Sequence, residues 1–173
     1  MAANSLLGSP APDFDDPIGV LRACHRRMER QLATLVRLRR HLPAHHADDD
    51  ARAAAAAILR YFDSAAPNHH ADEEASLLPR LVAARPEIAP FCASIERDHV
   101  ELGARWMRLR PRLAAIVARS GAHLPIREVE TFCAAYAAHI AREEGTLLPQ
   151  AQAALDAAAL AAIGEEMAAR RNP

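Results

Sequence analysis

The sequence predicts an all-α protein that folds as an up-down-up-down bundle of four long helices with a short fifth helix at the C-terminal end. Alanine accounts for 41 of the 173 residues, whereas glycine occurs 6 times and aromatic residues make up 4%. Alanine loses no side-chain entropy in a helix, whereas sheets are rich in β-branched and aromatic residues. Four long stretches with helical apolar spacing, joined by short connections, favour a bundle.

The first two helices are marked by acidic residues before them and by prolines near their ends. Asp16 followed by Pro17 is typical of a helix start, and the apolar positions that follow predict a helix to about Leu42. Residues 48–50 are expected to begin the second helix, which should end near residues 83–84. Because its apolar spacing continues past Pro67, we expect a kink there rather than a stop.

The third helix is predicted from about residue 90 to residue 120, and the fourth from about residue 125 towards Pro149. Asp156 can cap the short fifth helix, predicted from residue 157 to about residue 170. The expected organisation is therefore a flexible N-terminal segment (1–14), the four-helix bundle (15–153), and a short C-terminal helix with its tail (154–173).

Composition and charge narrow the possible partners and compartments. The 21 basic residues are all arginine, and 22 acidic residues bring the net charge to −1. We therefore expect no nucleic-acid partner and no membrane, since no apolar run approaches the roughly 20 residues that a span requires. Cys24, Cys92 and Cys133 are far apart and lack metal-binding spacing, so we interpret them as buried thiols of a cytoplasmic protein.

An internal repeat carries the chemical signal. The segment HHADEEASLLP at residues 69–79 matches HIAREEGTLLP at residues 139–149, with seven of eleven positions identical. Residues i and i+4 share a helix face, so His69 with Glu73, and His139 with Glu143, each present an imidazole and a carboxylate in one direction. Apolar neighbours place that direction inside the bundle, where unpaired ionisable groups are costly.

The first and third helices each add one inward histidine within an apolar stripe, His25 and His99. Four imidazoles and two carboxylates are too many for one tetrahedral zinc ion and suit two ions that share the carboxylates. Iron fits this mixed donor set, with manganese and zinc as alternatives. The predicted metal ligands are His25, His69, Glu73, His99, His139 and Glu143.

The other candidate side chains are expected to have lesser roles. His70, about 100° from His69 on the helix, is interpreted as a supporting or surface residue whose replacement should do little. Glu74 and Glu144 are expected to support the ligands, and Glu29 is a weak candidate. Tyr136 is interpreted mainly as a core residue. The remaining histidines, at helix ends or in loops, are expected to be solvated: His41, His45, His46 and His123.

With these motifs in place, the chain resembles hemerythrin-like HHE cation-binding proteins over roughly residues 15–150. The Glu-x-x-His spacing of ferritin-like bundles occurs only at Glu96–His99. The resemblance implies two iron ions, bridged by carboxylates and an oxo group, held by the six residues above. Oxygen-carrying hemerythrins have a further histidine where this chain has Gly103, which is expected to leave space near the metals or to allow packing against another helix. They also use an aspartate, at a slightly longer spacing, where this chain has Glu143.

These departures argue against simple reversible oxygen carriage. The resemblance instead implies binding of, or reaction with, O₂, NO or peroxide, in stress response or iron handling. The alternatives are a non-catalytic sensor or iron-delivery module that acts through a partner protein, and a purely structural site that holds zinc.

Overall fold

The computed structural model describes residues 13–171, and within that range the chain contains helices and no strand. The long helices are α1 (Pro17–His45), α2 (residues 49–84), α3 (Ala89–Val117) and α4 (residues 126–154), and the short α5 (Ala157–Ala169) follows. A 3₁₀ turn, Pro86–Ile88, joins α2 to α3. The all-helical prediction is confirmed.

Three aspartates cap the helix starts that the sequence indicated. The side chain of Asp16 accepts from the Gly19 amide at 2.9 Å, that of Asp48 from Ala51 at 2.8 Å, and that of Asp156 from Ala159 at 2.8 Å. Each satisfies one of the amides that the first turn of a helix leaves without a partner.

Two predicted helix ends are wrong by about one turn. α1 continues through Pro43 to His45, because a proline in an exposed last turn removes only one hydrogen bond, and the His46 amide then closes the helix on the Leu42 carbonyl. α3 ends at Val117 rather than near residue 120, where Arg119 adopts a positive φ of 56°.

Both α2 and α4 contain π-helical turns, in which an amide bonds five residues back. In α2 the α-helical parts are Asp49–Arg60, Ala66–Asp72 and Leu78–Ala84, and they are separated by the π-helical turns Tyr61–Ala65 and Glu73–Leu77. In α4, the turn Glu143–Leu147 lies between Ile126–Arg142 and Leu148–Ala154. The helix continues past Pro67 as predicted, and a π-helical turn, rather than a simple kink, directly precedes it.

The four long helices form a closed ring in which each packs against the next and α4 packs against α1. Two apolar clusters fill its interior. One contains Met28, Phe62, Leu102 and Tyr136, and the other contains Leu21, Leu77, Ile95 and Leu147. Between the two apolar clusters lies a polar layer, to which every long helix contributes.

The C-terminal helix α5 packs against α1 and α2. Phe14 lies beside it, with Arg171 over its ring at 5.3 Å. Residues 1–12 of the proposed N-terminal segment lie outside the described residues. Among those described, no helix has the length and apolar character needed to cross a bilayer.

Candidate metal centre

The structure brings all six predicted ligands together in the polar layer between the two apolar clusters. α1 supplies His25, α2 supplies His69 and Glu73, α3 supplies His99, and α4 supplies His139 and Glu143. Each of these side chains is at most 5% exposed. A concentration of six ionisable groups in a protein interior is costly unless charge and hydrogen bonds are satisfied there.

The two carboxylates lie at the middle of the cluster. Glu143 is 3.1 Å from Nε2 of His25 and 2.8 Å from Nε2 of His139, while Glu73 is 3.2 Å from Nε2 of His99 and 3.5 Å from Nε2 of His69. The donor atoms form two overlapping groups, each within 4.8 Å: one with His25 and His69, the other with His99 and His139. Glu73 and Glu143 belong to both.

These close contacts do not have hydrogen-bond geometry. Within the part of the chain that the structure describes, Nε2 of all four histidines and all four oxygens of Glu73 and Glu143 are buried without a hydrogen-bond partner. Buried donor atoms that converge in this way, with no hydrogen bond between them, are what a metal ion needs. The residues therefore fit two cations that share the two carboxylates.

The buried groups of the cluster shift one another's pKa values. Burial raises the pKa of Glu73, and the negative charge of Glu143 raises it further. Burial would also raise the pKa of Glu143, but the imidazoles of His139, His25 and His99 hold it well below its usual range. Because the two carboxylates lie this close together, protons on the groups of the cluster balance their negative charge when no metal is bound.

Two imidazoles take up those protons. Burial opposes protonation of His25, but Glu143 and Glu144 raise its pKa to about 9. Burial likewise opposes protonation of His99, and Glu143, Glu73 and Glu74 raise its pKa to about 10. His69 is fully buried, and burial lowers its pKa well below the usual value.

Two further carboxylates contact two of the predicted ligand histidines and fix the orientation of their rings. Oε1 of Glu144 lies 2.6 Å from Nδ1 of His25, and Oε1 of Glu74 lies 2.6 Å from Nδ1 of His99. Such contacts hold a metal-binding imidazole with Nε2 turned towards the metal and raise its basicity. Glu74 and Glu144 support the cluster, as the sequence predicted. Asp98 is 3.5 Å from Nδ1 of His139 and pairs with Arg142.

His70 lies closer to the cluster than the sequence indicated. Its ring stacks on His99, with centroids 4.0 Å apart and planes 9° apart. Its Nε2 is buried, and one of its ring nitrogens lies within 4.8 Å of donor atoms of His99 and His139. Burial, and then the positive charges of His99 and His139, lower its pKa to about 3. The interpretation of His70 as a surface residue is wrong, and its supporting role stays a prediction.

Gly103 is not near the metal cluster. It is exposed on α3, and a Cβ built there meets nothing within 4 Å. The expectation that it leaves space at the metals is therefore wrong, because Leu102 takes the inward position on that turn. Glu29 is exposed. Tyr136 packs in the apolar cluster, with its ring 5.0 Å from Phe132 and 6.4 Å from His70.

Comparison with known proteins identifies the family. The model of the hemerythrin HHE cation-binding domain matches residues 16–151. The chain belongs to the hemerythrin HHE family. It is also 32% identical, over 159 residues, to an uncharacterized protein of Haemophilus influenzae, and the match covers 92% of each chain. The family binds metal cations, typically iron, and the matched residues include all six predicted ligands, whose role as ligands stays a prediction.

Proposed function

We propose that this protein binds two iron ions at the cluster of His25, His69, Glu73, His99, His139 and Glu143, and that its ferrous form binds or reacts with O₂, NO or peroxide. The observation that carries the proposal is the pair of overlapping donor groups that share Glu73 and Glu143. Imidazole with carboxylate suits iron, whereas calcium and magnesium prefer more oxygen donors.

The number of donors supports a reactive centre rather than a closed structural one. If both carboxylates bridge, each ion receives two imidazole nitrogens and two carboxylate oxygens, fewer than the roughly six donors of an octahedral ion. Iron supplies redox chemistry and open coordination positions, while the bundle orients its donors and limits the entry of water.

An approach for a small ligand lies between α3 and α4. A cleft of about 210 Å³ is lined by Asp98, Leu102, His139 and Arg142, so it reaches a predicted ligand from the surface. The Arg142–Asp98 ion pair stands beside His139 at this cleft. We propose that small neutral ligands reach the centre by this route.

The test is anaerobic loading with Fe²⁺, a count of bound iron per chain, and absorption spectra on admission of O₂, NO or peroxide. We expect about two irons per chain and new near-ultraviolet bands with at least one ligand. One iron or none, with tight zinc that iron cannot displace, would leave the structural-zinc alternative in its place. A Glu130→Gln variant, changed at an exposed site on α4, is the matched control.

A second candidate function is a sensor or iron-delivery module. It is favoured by the polar contacts that join α5, and the two arginines after it, to the part of α2 around Glu73. Buried Asp72, next to Glu73, pairs with Arg170 at 2.9 Å and Arg171 at 2.6 Å. Ser76 donates to Glu166 at 2.5 Å. Under this proposal, iron loading changes hydrogen exchange in α5, and a partner binds in an iron-dependent way. Unchanged exchange in α5 would remove the support for it.

Three further features belong to the same proposal. The four long helices run up-down-up-down, which the short connections after α1, α2 and α3 favour. The protein acts in the cytoplasm, consistent with its three free cysteines. It has no nucleic-acid or membrane partner, consistent with its net charge of −1.

A further inference from the structure

A second cluster of metal-binding side chains lies at the far end of α1. His41 and His45 are on α1, and Asp48 caps α2. One donor atom from each lies within 4.8 Å of the others. His41 is 16 residues beyond His25, on the order of 24 Å along the helix, so this cluster is separate from the central one.

The carboxylate of this cluster is held in place before any ion binds. One oxygen of Asp48 accepts from the Ala51 amide at 2.8 Å, and the other lies 2.9 Å from Nε2 of His41. The Ala51 amide, and then His41, hold the pKa of Asp48 below its usual range. Asp48 therefore presents a charged oxygen to His41 at neutral pH.

The two imidazoles are already adjacent. They are four residues apart on α1, and their rings stack with centroids 4.1 Å apart and planes 13° apart. His45 is exposed, and one of its ring nitrogens lies within 4.8 Å of donor atoms of His41 and Asp48.

We propose that His41, His45 and Asp48 form a second metal site, which binds one divalent transition metal ion of the kind that prefers imidazole: Zn²⁺, Cu²⁺ or Ni²⁺. Two imidazoles and one carboxylate are a common protein donor set for such ions, with water in the remaining position. The site joins the end of α1 to the start of α2, so an occupying ion clamps the connection between them.

The test compares the number of ions bound at saturation. Purified full-length protein is equilibrated with Zn²⁺ and the bound zinc per chain is counted, for the wild type and for the double variant His41→Ala/His45→Ala. We expect the double variant to bind one zinc fewer. This difference does not depend on what the central cluster binds, so it stays informative if the iron proposal fails.

Two further variants sharpen the result. Asp48→Asn keeps an oxygen that can accept from Ala51 but removes the charge, so zinc affinity at this site should fall about tenfold or more. His46→Ala changes a neighbouring exposed histidine outside the cluster and should leave the number of bound zinc ions unchanged, although alanine at its positive φ of 56° should cost some stability. Cu²⁺ added to the wild type should give an electron paramagnetic resonance signal with nitrogen couplings that accounts for one more copper ion per chain than the signal of the double variant.

The proposal is overturned if the wild type and the double variant bind equal numbers of zinc ions. It is also overturned if His46→Ala removes as much zinc as the double variant, since that would indicate nonspecific binding by exposed histidines. Because His41 and His45 are at most partly buried, the variants are expected to fold. Thermal unfolding of the metal-free proteins checks this, and Asp48→Asn serves alone if they do not.

Discussion

The two carboxylates that contact Nδ1 of predicted ligand histidines give a quantitative test of the metal centre. Glu144 contacts Nδ1 of His25 and Glu74 contacts Nδ1 of His99, each at 2.6 Å. Replacing either by glutamine keeps a carbonyl that can accept from Nδ1 but removes a negative charge next to the imidazole. The predicted ligands themselves are unchanged, so any loss of metal affinity comes from the supporting residue.

The size of the effect follows from the exposure of these side chains. Loss of such a supporting partner typically weakens metal binding by about 10- to 100-fold. Glu144 is 36% exposed and Glu74 is 43% exposed, so solvent screens part of their field. We therefore expect about tenfold, or ~1.4 kcal/mol, for each glutamine variant. Because the two act on histidines of different donor groups, the double variant should bind each of two ions about tenfold more weakly, which is about 100-fold in the product of the two binding constants.

The assay is anaerobic competition for Fe²⁺ between the protein and a coloured chelator of known affinity, with Glu130→Gln as the matched control. Circular dichroism establishes that each variant is folded. If Glu74→Gln and Glu144→Gln bind iron as tightly as Glu130→Gln, then the imidazoles of His25 and His99 are not oriented by these carboxylates. If only one variant is weakened, the two metal positions are not supported in the same way.

The remaining predictions concern packing, protons and one neighbouring ring. A Cβ at Gly164 would lie 1.9 Å from the Phe14 carbonyl oxygen, so Gly164→Ala should lower the unfolding free energy by about 1–3 kcal/mol. Gly103 has open space around it, so Gly103→Ala should raise the unfolding free energy by up to ~1 kcal/mol. Thermal or urea unfolding measures both. His70→Ala removes a half-buried stacked ring and should cost about 2 kcal/mol in urea unfolding while both metals still bind, as counted by metal analysis; loss of a metal would make His70 a ligand. Because the pKa values of His25 and His99 are raised to about 9 and 10, metal ions must displace protons from them, so metal affinity should rise with pH towards 9–10 and fall in acid. Glu73, whose pKa is also raised, must lose its proton as well. Calorimetry in buffers of different ionisation enthalpy should therefore detect at least about two protons released per chain at pH 7; no proton release would contradict both histidines as ligands.

The sequence located the predicted ligands because each depends on spacing within one helix. His69 with Glu73 and His139 with Glu143 follow from the i, i+4 rule, and His25 and His99 follow from apolar stripes. The position of His70 depends instead on which helices surround α2. His69 faces α1, where its ring lies 4.9 Å from His25, whereas His70 faces α3 and stacks on His99. Two positions 100° apart on one helix can both be inside a bundle when that helix has neighbours on two sides.

Gly103 shows the opposite error, because the sequence placed it near the metals and the structure places it at the surface. Its distance of four residues from His99 suggested the same face, but at about 100° per residue it lies about 40° from His99 on the side away from Leu102. On α3 the buried stripe passes through Ile95, His99, Leu102 and Trp106. Position 103 has drifted out of that stripe, so its glycine borders solvent rather than the metal cluster.

The shared glutamates and prolines of the repeat have identifiable roles in the structure. The glutamates Glu73 and Glu143 carry the shared carboxylates, and the π-helical turns begin at these same residues, with the Leu78 and Leu148 amides bonding their carbonyls. The next glutamates, Glu74 and Glu144, orient a histidine of another helix. The following prolines, Pro79 and Pro149, have no amide to donate, which suits a helix whose bonding pattern has just shifted.

The two copies of the repeat make the cluster nearly symmetric, and one position breaks the symmetry. Glu144 on α4 supports His25 on α1 just as Glu74 on α2 supports His99 on α3. In the aligned repeat, however, His70 corresponds to Ile140, which packs in the apolar cluster. The donor group that contains His99 and His139 therefore has an additional half-buried imidazole beside it, which the group that contains His25 and His69 lacks. Two ions bound here would have unequal surroundings, so we expect a small ligand to distinguish between them.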